Sequence, residues 1–235
     1  MLILAFESSA KAASVALMKD GVLLGERFQH SGKTHSATLM PMAQGLLKDC
    51  EVMAKDLDVV AVAMGPGSFT GVRIGVAAAK GLAWAAEKEV CGVSTLLGMA
   101  TQMAQLEGII CPVMDARRNQ VYNARFFAGH GNLTRFKEDR AISLAELKTE
   151  LEHVSGPIFL VGDGAELTYK TLAKDIPNLI LPPEHHRHQR AVGVALLAQK
   201  KAAAGETGDG NALNPNYLRL SQAERERNEK LQVTN

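Results

Sequence analysis

A chain of 235 residues, 46% hydrophobic and 22% charged, carries enough apolar mass for one or two compact domains. Lys+Arg 26 against Asp+Glu 25 leaves a formal charge of +1, which excludes a long-range positive field able to hold a polyanion unaided. Three cysteines without CxxC spacing speak against a disulfide framework or a zinc site, and with no basic leader and no membrane-length apolar run, a cytoplasmic protein with no membrane partner is expected.

Residues 2–6 are apolar without alternation, as in a strand covered on both faces. Residues 13–18 and 22–28 form a hairpin pair around Lys19-Asp20-Gly21, where Asp-Gly supplies the positive-φ turn. The spacing of Leu39, Met42, Ala43, Leu46 and Cys50 predicts a helix over 35–50, with Pro41 tolerable near the first turn. A buried strand at 59–64, a Gly-Pro-Gly-Ser turn, a helix over 69–86, a strand at 90–93 and a helix over 96–103 complete a ribonuclease-H-like order. A weaker copy follows: strands at 109–114, 121–127 and ending near Ile142, a helix at 144–152, a strand at 158–161, a helix at 167–173, a short strand at 179–181 and a helix at 191–204. The fold class expected is therefore α/β, two tandem ribonuclease-H-like halves of mixed sheets flanked by helices. Domains are placed at 1–106, 107–204 and, for a linker, a docked segment and a charged tail, 205–235.

The run Gly65-Pro66-Gly67-Ser68-Phe69-Thr70-Gly71 joins a buried strand to a helix start. Such a turn either presents free amides to an anion or simply bends sharply, with Ser68 capping the helix; it lacks the Gly-Lys-Ser/Thr ending of a P-loop. Glu7 and Ser8 end the first strand with Lys11 nearby, and Asp115 and Arg117 end the corresponding strand of the second half. Together with Gly65, Gly67 and Ser68 they are candidates for a degenerate anion or nucleotide site, weighed against turn-forming serines and a surface ion-pair cluster. The following helix is apolar nearly all round: between Val72 and Ala86 only Arg73 and Lys80 are charged. Such a helix needs cover on both sides. Gly71, Gly75 and Ala79 are read as a smooth groove for an approaching helix, and Met40 and Leu47 as a second apolar stripe. Burial under the chain's own second half is the alternative. No metal site is expected, since the residue four beyond His35 is Leu39 and His185, His186 and His188 follow Pro182-Pro183 in what reads as an exposed loop.

The residues 3–9, the hairpin Ser14-Val15-Ala16-Leu17, His35-Ser36, the glycine run through Gly75, Ala79-Lys80-Gly81-Leu82-Ala83, Asp115-Ala116-Arg117 and Asn216-Tyr217-Leu218-Arg219 together resemble the bacterial TsaB (YeaZ) family across nearly the whole chain. The resemblance implies an actin-like ATPase and sugar-kinase fold and a non-catalytic subunit. That subunit supports a TsaD-like enzyme transferring threonylcarbamoyl from threonylcarbamoyl-AMP to N6 of adenosine 37 in tRNAs that read codons beginning with adenine. It implies a TsaE-like ATPase as third member, tRNA contact only through the complex, and no cofactor on this chain, with ATP and metal held by the partners. It also places the partner interface on the first two helices, through His35, Met40, Leu47, Gly71, Val72, Gly75, Ala78, Ala79 and Leu82, a surface that would pair two copies when the chain is isolated. The competing class is a small-molecule kinase or ATPase of the same superfamily.

Overall fold

The computed structural model describes residues 1–219. Strands β1 (Leu2–Glu7), β2 (Ala13–Lys19) and β3 (Val22–Gln29) form an antiparallel meander, and Asp20 and Gly21, both at positive φ, make its first tight turn. Helix α1 (His35–Asp49) crosses to β4 (Val59–Ala63), which pairs in parallel with β1, and α2 (Phe69–Ala86) crosses to β5 (Glu89–Val93). The resulting five-stranded sheet runs β3-β2-β1-β4-β5. After α3 (Thr95–Gln102) the same connectivity repeats. Strands β6 (Gly108–Asp115), β7 (Gln120–Gly129) and β8 (Asn132–Ser143) are followed by α4 (Leu144–Leu151), β9 (Ile158–Val161), α5 (Ala165–Leu172) and β10 (Leu179–Ile180). This sheet runs β10-β9-β6-β7-β8, the first order mirrored strand for strand.

Local chemistry explains the boundaries. Ser68 and Ser94 cap α2 and α3 through their side chains, and Ser143 with Glu146 closes a capping box on α4. A helix was expected later than the one-turn α6 (Glu184–Arg187), which replaces the exposed loop anticipated around His185; α7 (Ala191–Ala203) follows it.

Each sheet has two apolar faces, because strands alternate their side chains. Leu4, Phe6, Val15, Leu17, Val60 and Val62 face α1 and α2, whereas Ile3, Ala5, Ala16, Met18, Ala61 and Cys91 face α7. On the second sheet, Cys111, Val113 and Leu160 face α4 and α5, whereas Ile110, Phe126 and Ala128 face Leu96, Met99 and Ala100 of α3. The packing thus crosses chain order: α3 follows the first sheet but lies on the second, and α7 follows the second but lies on the first. The two helices meet at Gly193, where a Cβ would stand 2.2 Å from the carbonyl oxygen of Gly98. Beyond α7 the chain pairs at Gly208 with Val90 on the edge of β5, makes a 3-10 turn over Gly210–Ala212, and runs back to the seam between the lobes. Of the anticipated docked segment, residues 214–219 are described; the charged tail lies outside the described residues. No helix among the described residues is long and apolar enough to cross a membrane.

Candidate functional site

Helix α2 has two unlike small-residue stripes. Gly71, Val72, Gly75, Val76 and Ala79 are buried against the first sheet. A Cβ on Gly71 would lie 2.1 Å from the Ser8 carbonyl oxygen, and one on Gly75 would lie 2.5 Å from Ser8 Oγ. The expectation that Gly71, Gly75 and Ala79 notch the helix for a partner is therefore corrected, and Val72 goes with them. These residues let α2 descend onto the end of β1, whose Ser8 hydroxyl donates to the Gly71 carbonyl at 2.9 Å. Leu47 of α1 is likewise buried, in the core beneath both helices.

The opposite side of α2 is bare. Ala77, Gly81, Trp84 and Ala85 are exposed, Ile74, Ala78 and Leu82 are half-buried, and Trp84, the chain's one tryptophan, is 85% exposed. Met40 of α1 is half-buried beside this surface, and no heavy atom lies within 4 Å of a Cβ placed on Gly81. Of the expected interface, Met40, Ala78 and Leu82 thus border the outer surface, as does half-buried His35, whose Nε2 is 2.7 Å from the Ala10 carbonyl oxygen. Ile74, Ala77, Gly81 and Trp84 were missed. Helical periodicity puts them on the side opposite the Val72-Val76-Ala79-Ala83 stripe, whereas glycine spacing points to the buried face.

Five of the eight residues expected to hold an anion line one cleft at the seam between the lobes, whereas Glu7, Ser8 and Gly65 do not line it. A cleft of about 820 Å³ is lined by Lys11, Gly67, Ser68, Asp115 and Arg117, joined by Asp163 and Tyr217. Two of the turn's amides are used internally. The Ser68 N–H donates to the Ser9 carbonyl at 2.7 Å, and the Gly71 N–H donates to Ser68 Oγ at 3.3 Å. Gly65, at φ +114, and Gly67 are glycines because Asn216 and Ser9 backbone oxygens stand 2.5 Å from their would-be Cβ positions. Glu7 is 2% exposed and accepts the Ser9 N–H at 2.7 Å; burial, reinforced by nearby Asp163, pushes its pKa up to about 7. Burial also raises Asp163, which accepts a hydrogen bond from Gln189 Nε2 at 3.3 Å.

On the rim, Arg117 donates its backbone N–H to Asp115 Oδ1 at 2.7 Å while its side chain is mostly exposed. Arg117, Arg118 and Asn119 all adopt positive φ, a strained run at the β6–β7 turn that composition does not reveal. The chain's own C-terminal segment lies across the cleft. Tyr217 stacks on Phe69 at 4.6 Å, its hydroxyl accepts from Arg73 Nε at 2.7 Å, and Arg219 donates to the Ala116 carbonyl.

Two sheets of identical connectivity, each flanked by helices, with a cleft between them, define the actin-like ATPase and sugar-kinase fold. The chain superposes with a TM-score of 0.53 on component A of the (R)-2-hydroxyglutaryl-CoA dehydratase of Acidaminococcus fermentans, at 12% identity over 86% of this chain and 99% of that one. A likeness of that order concerns the fold alone. YeaZ from Pseudomonas aeruginosa superposes at a TM-score of 0.74, with 27% identity, covering 92% of this chain and 99% of that one. The tRNA threonylcarbamoyladenosine biosynthesis protein TsaB of Bacillus subtilis is 34% identical over 95% of this chain and 96% of its own length. The Escherichia coli protein of the same name is 32% identical over 93% and 95%. A family model described as TsaD, tRNA N6-adenosine threonylcarbamoyltransferase, matches residues 29–227. The chain belongs to the TsaB (YeaZ) family of tRNA threonylcarbamoyladenosine biosynthesis proteins, within this wider TsaD-like group.

Proposed function

We propose that the chain is a non-catalytic subunit that binds and supports a TsaD-like threonylcarbamoyltransferase through the outer faces of α1 and α2. In that complex the modified atom is N6 of adenosine 37 in tRNAs reading codons that begin with adenine; a TsaE-like ATPase joins it, and tRNA is held through the partners. The observation that carries this reading is the bare side of α2, where Ala77 and Gly81 are exposed and Ile74, Ala78 and Leu82 half-buried beside an almost fully exposed Trp84. Exposed tryptophan beside small residues has the composition of an interface anchor rather than of a solvated helix.

The non-catalytic reading is supported by the cleft. A carboxyl at Glu7 that is half protonated near neutrality and turned into the protein makes a poor Mg²⁺ ligand, and the Ser68 and Gly71 amides of the glycine turn are bonded within the chain. Tyr217 and Arg219 occupy the cleft mouth. Leu39, at the place of a second metal-ligating histidine, is core. ATP and the metal that accompanies it are assigned to the partner subunits.

Co-expression with a TsaD-like subunit tests the interface: Trp84→Glu and Met40→Glu are expected to abolish co-purification while leaving the circular dichroism of the isolated chain unchanged. Normal assembly of both variants would overturn it. In isolation the same surface would pair two copies, so Trp84→Glu should also lower the sedimentation mass of the purified chain. Calorimetry with Mg-ATP addresses the kinase or ATPase alternative, which micromolar affinity accompanied by turnover would establish.

A further inference from the structure

Away from α2 and the floor of the cleft, three potential ligands converge where the lobes meet. His30 follows β3 in the first lobe; in the second, Glu184 opens α6 and His188 directly follows it. Their ligand atoms all lie within 4.8 Å of one another. His188 Nε2 is 3.6 Å from Glu184 Oε1, and the His188 ring meets His30 edge-on with centroids 5.0 Å apart.

His188 is fixed from several directions. Its ring packs against Phe28 at 5.2 Å. On one side of it the Gly162 N–H donates to the Arg187 carbonyl at 2.7 Å, anchoring the segment to β9. On the other, Arg190 forms an ion pair with Glu26, and the Ala191 N–H donates to Ser14 Oγ at 3.0 Å, anchoring it to the first sheet. His30 and Glu184 are exposed. A cavity of about 420 Å³ lined by Phe28, Glu184, His185, His188 and Arg190 opens beside the group, with room for a water ligand.

We infer that His30, Glu184 and His188 form a binding site for a divalent transition metal ion of the zinc class, which ties the two lobes together at the edge of β3. Two imidazoles and one carboxylate are donors that suit zinc, and a water completes four-coordination. Neighbouring ligands around tetrahedral zinc stand roughly 3.3 Å apart. Closing from 4.8 Å therefore takes a shift of about 1.5 Å, within reach of the two exposed side chains. Arg187 and Arg190 lie close enough to act electrostatically on His188; Glu26 neutralises the second, and the remaining positive charge weakens cation binding. The site is independent of the partner-binding reading.

The test is titration of the full chain with Co²⁺, followed by visible absorption and displacement with Zn²⁺, together with thermal melts with and without Zn²⁺. Wild type should bind one four-coordinate Co²⁺ at micromolar concentration and melt higher with Zn²⁺. His30→Ala and His188→Ala should each weaken binding at least about tenfold and remove the shift in melting temperature. His30 is exposed, so its variant keeps the test valid should His188→Ala fold poorly. The adjacent, exposed pair His185 and His186, with ring centroids 4.2 Å apart, is the competing ligand set, and their double alanine variant should bind as wild type does. Loss of binding in that double variant, unchanged binding in His30→Ala, or no binding by wild type would each overturn the site.

Discussion

Helices α2 and α7 are written in the same alphabet, small and aliphatic residues on nearly every side, yet they end in opposite places. Helix α7 is enclosed: the first sheet lies on one side and α3 on the other, with Gly193 letting the two helices touch. Helix α2 covers the other face of the same sheet with Gly71 and Gly75 inward, and its back, at Ala77, Gly81 and Trp84, meets solvent. All-round apolarity therefore states that a helix needs two covers, and only the packing tells whether the chain supplies the second.

Gly193→Ala gives the sharpest contrast. A Cβ 2.2 Å from a backbone oxygen forces α3 and α7 apart, and urea denaturation should show a loss of at least about 3 kcal/mol. Next comes the seam itself. Glu7 has a folded-state pKa of about 7 against an ordinary 4.5, so the folded chain binds more protons than the unfolded one between those values. Stability is then greatest below pH 4.5 as far as this group is concerned, and falls by roughly 3 kcal/mol as pH rises through 7. Asp163, raised in the same direction, adds to that slope, and Glu7→Gln should flatten most of it in denaturation curves across this range. On the bare side of α2, Trp84→Glu should leave stability within about 0.5 kcal/mol yet weaken partner binding by about 2 kcal/mol, near thirtyfold in Kd, measured by calorimetry. Smallest and opposite in sign is Gly81→Ala: with open space around its Cβ it should stabilise the isolated chain by about 1 kcal/mol.

Short apolar runs, the Asp20-Gly21 turn and helical spacing are short-range signals, and the succession of strands and helices through α5 was legible from them. The candidate site was legible only in part. Glycine spacing located the close contact of α2 but not its direction, because Ser8, which fills the groove, lies far away in sequence. The exchange of α3 and α7 between lobes was hidden for the same reason, since Gly98 and Gly193 become neighbours only after both sheets exist. His30 and His188 likewise carry no common spacing. Asp115, Arg117, Lys11 and Ser68 did arrive in one cleft, because topology brings corresponding strand ends of the two halves together.

The crossing of α3 and α7 also bears on the order in which the molecule can be made. While a ribosome is still adding residues after β10, the face of the first sheet formed by Ile3, Ala5, Ala16 and Ala61 has no lid, because Ala191, Val194, Ala195 and Ala198 have yet to emerge. The amino-terminal lobe thus waits for nearly the whole chain before it can close, and a fragment cut after α3 would carry one greasy sheet face and one misplaced helix into solution.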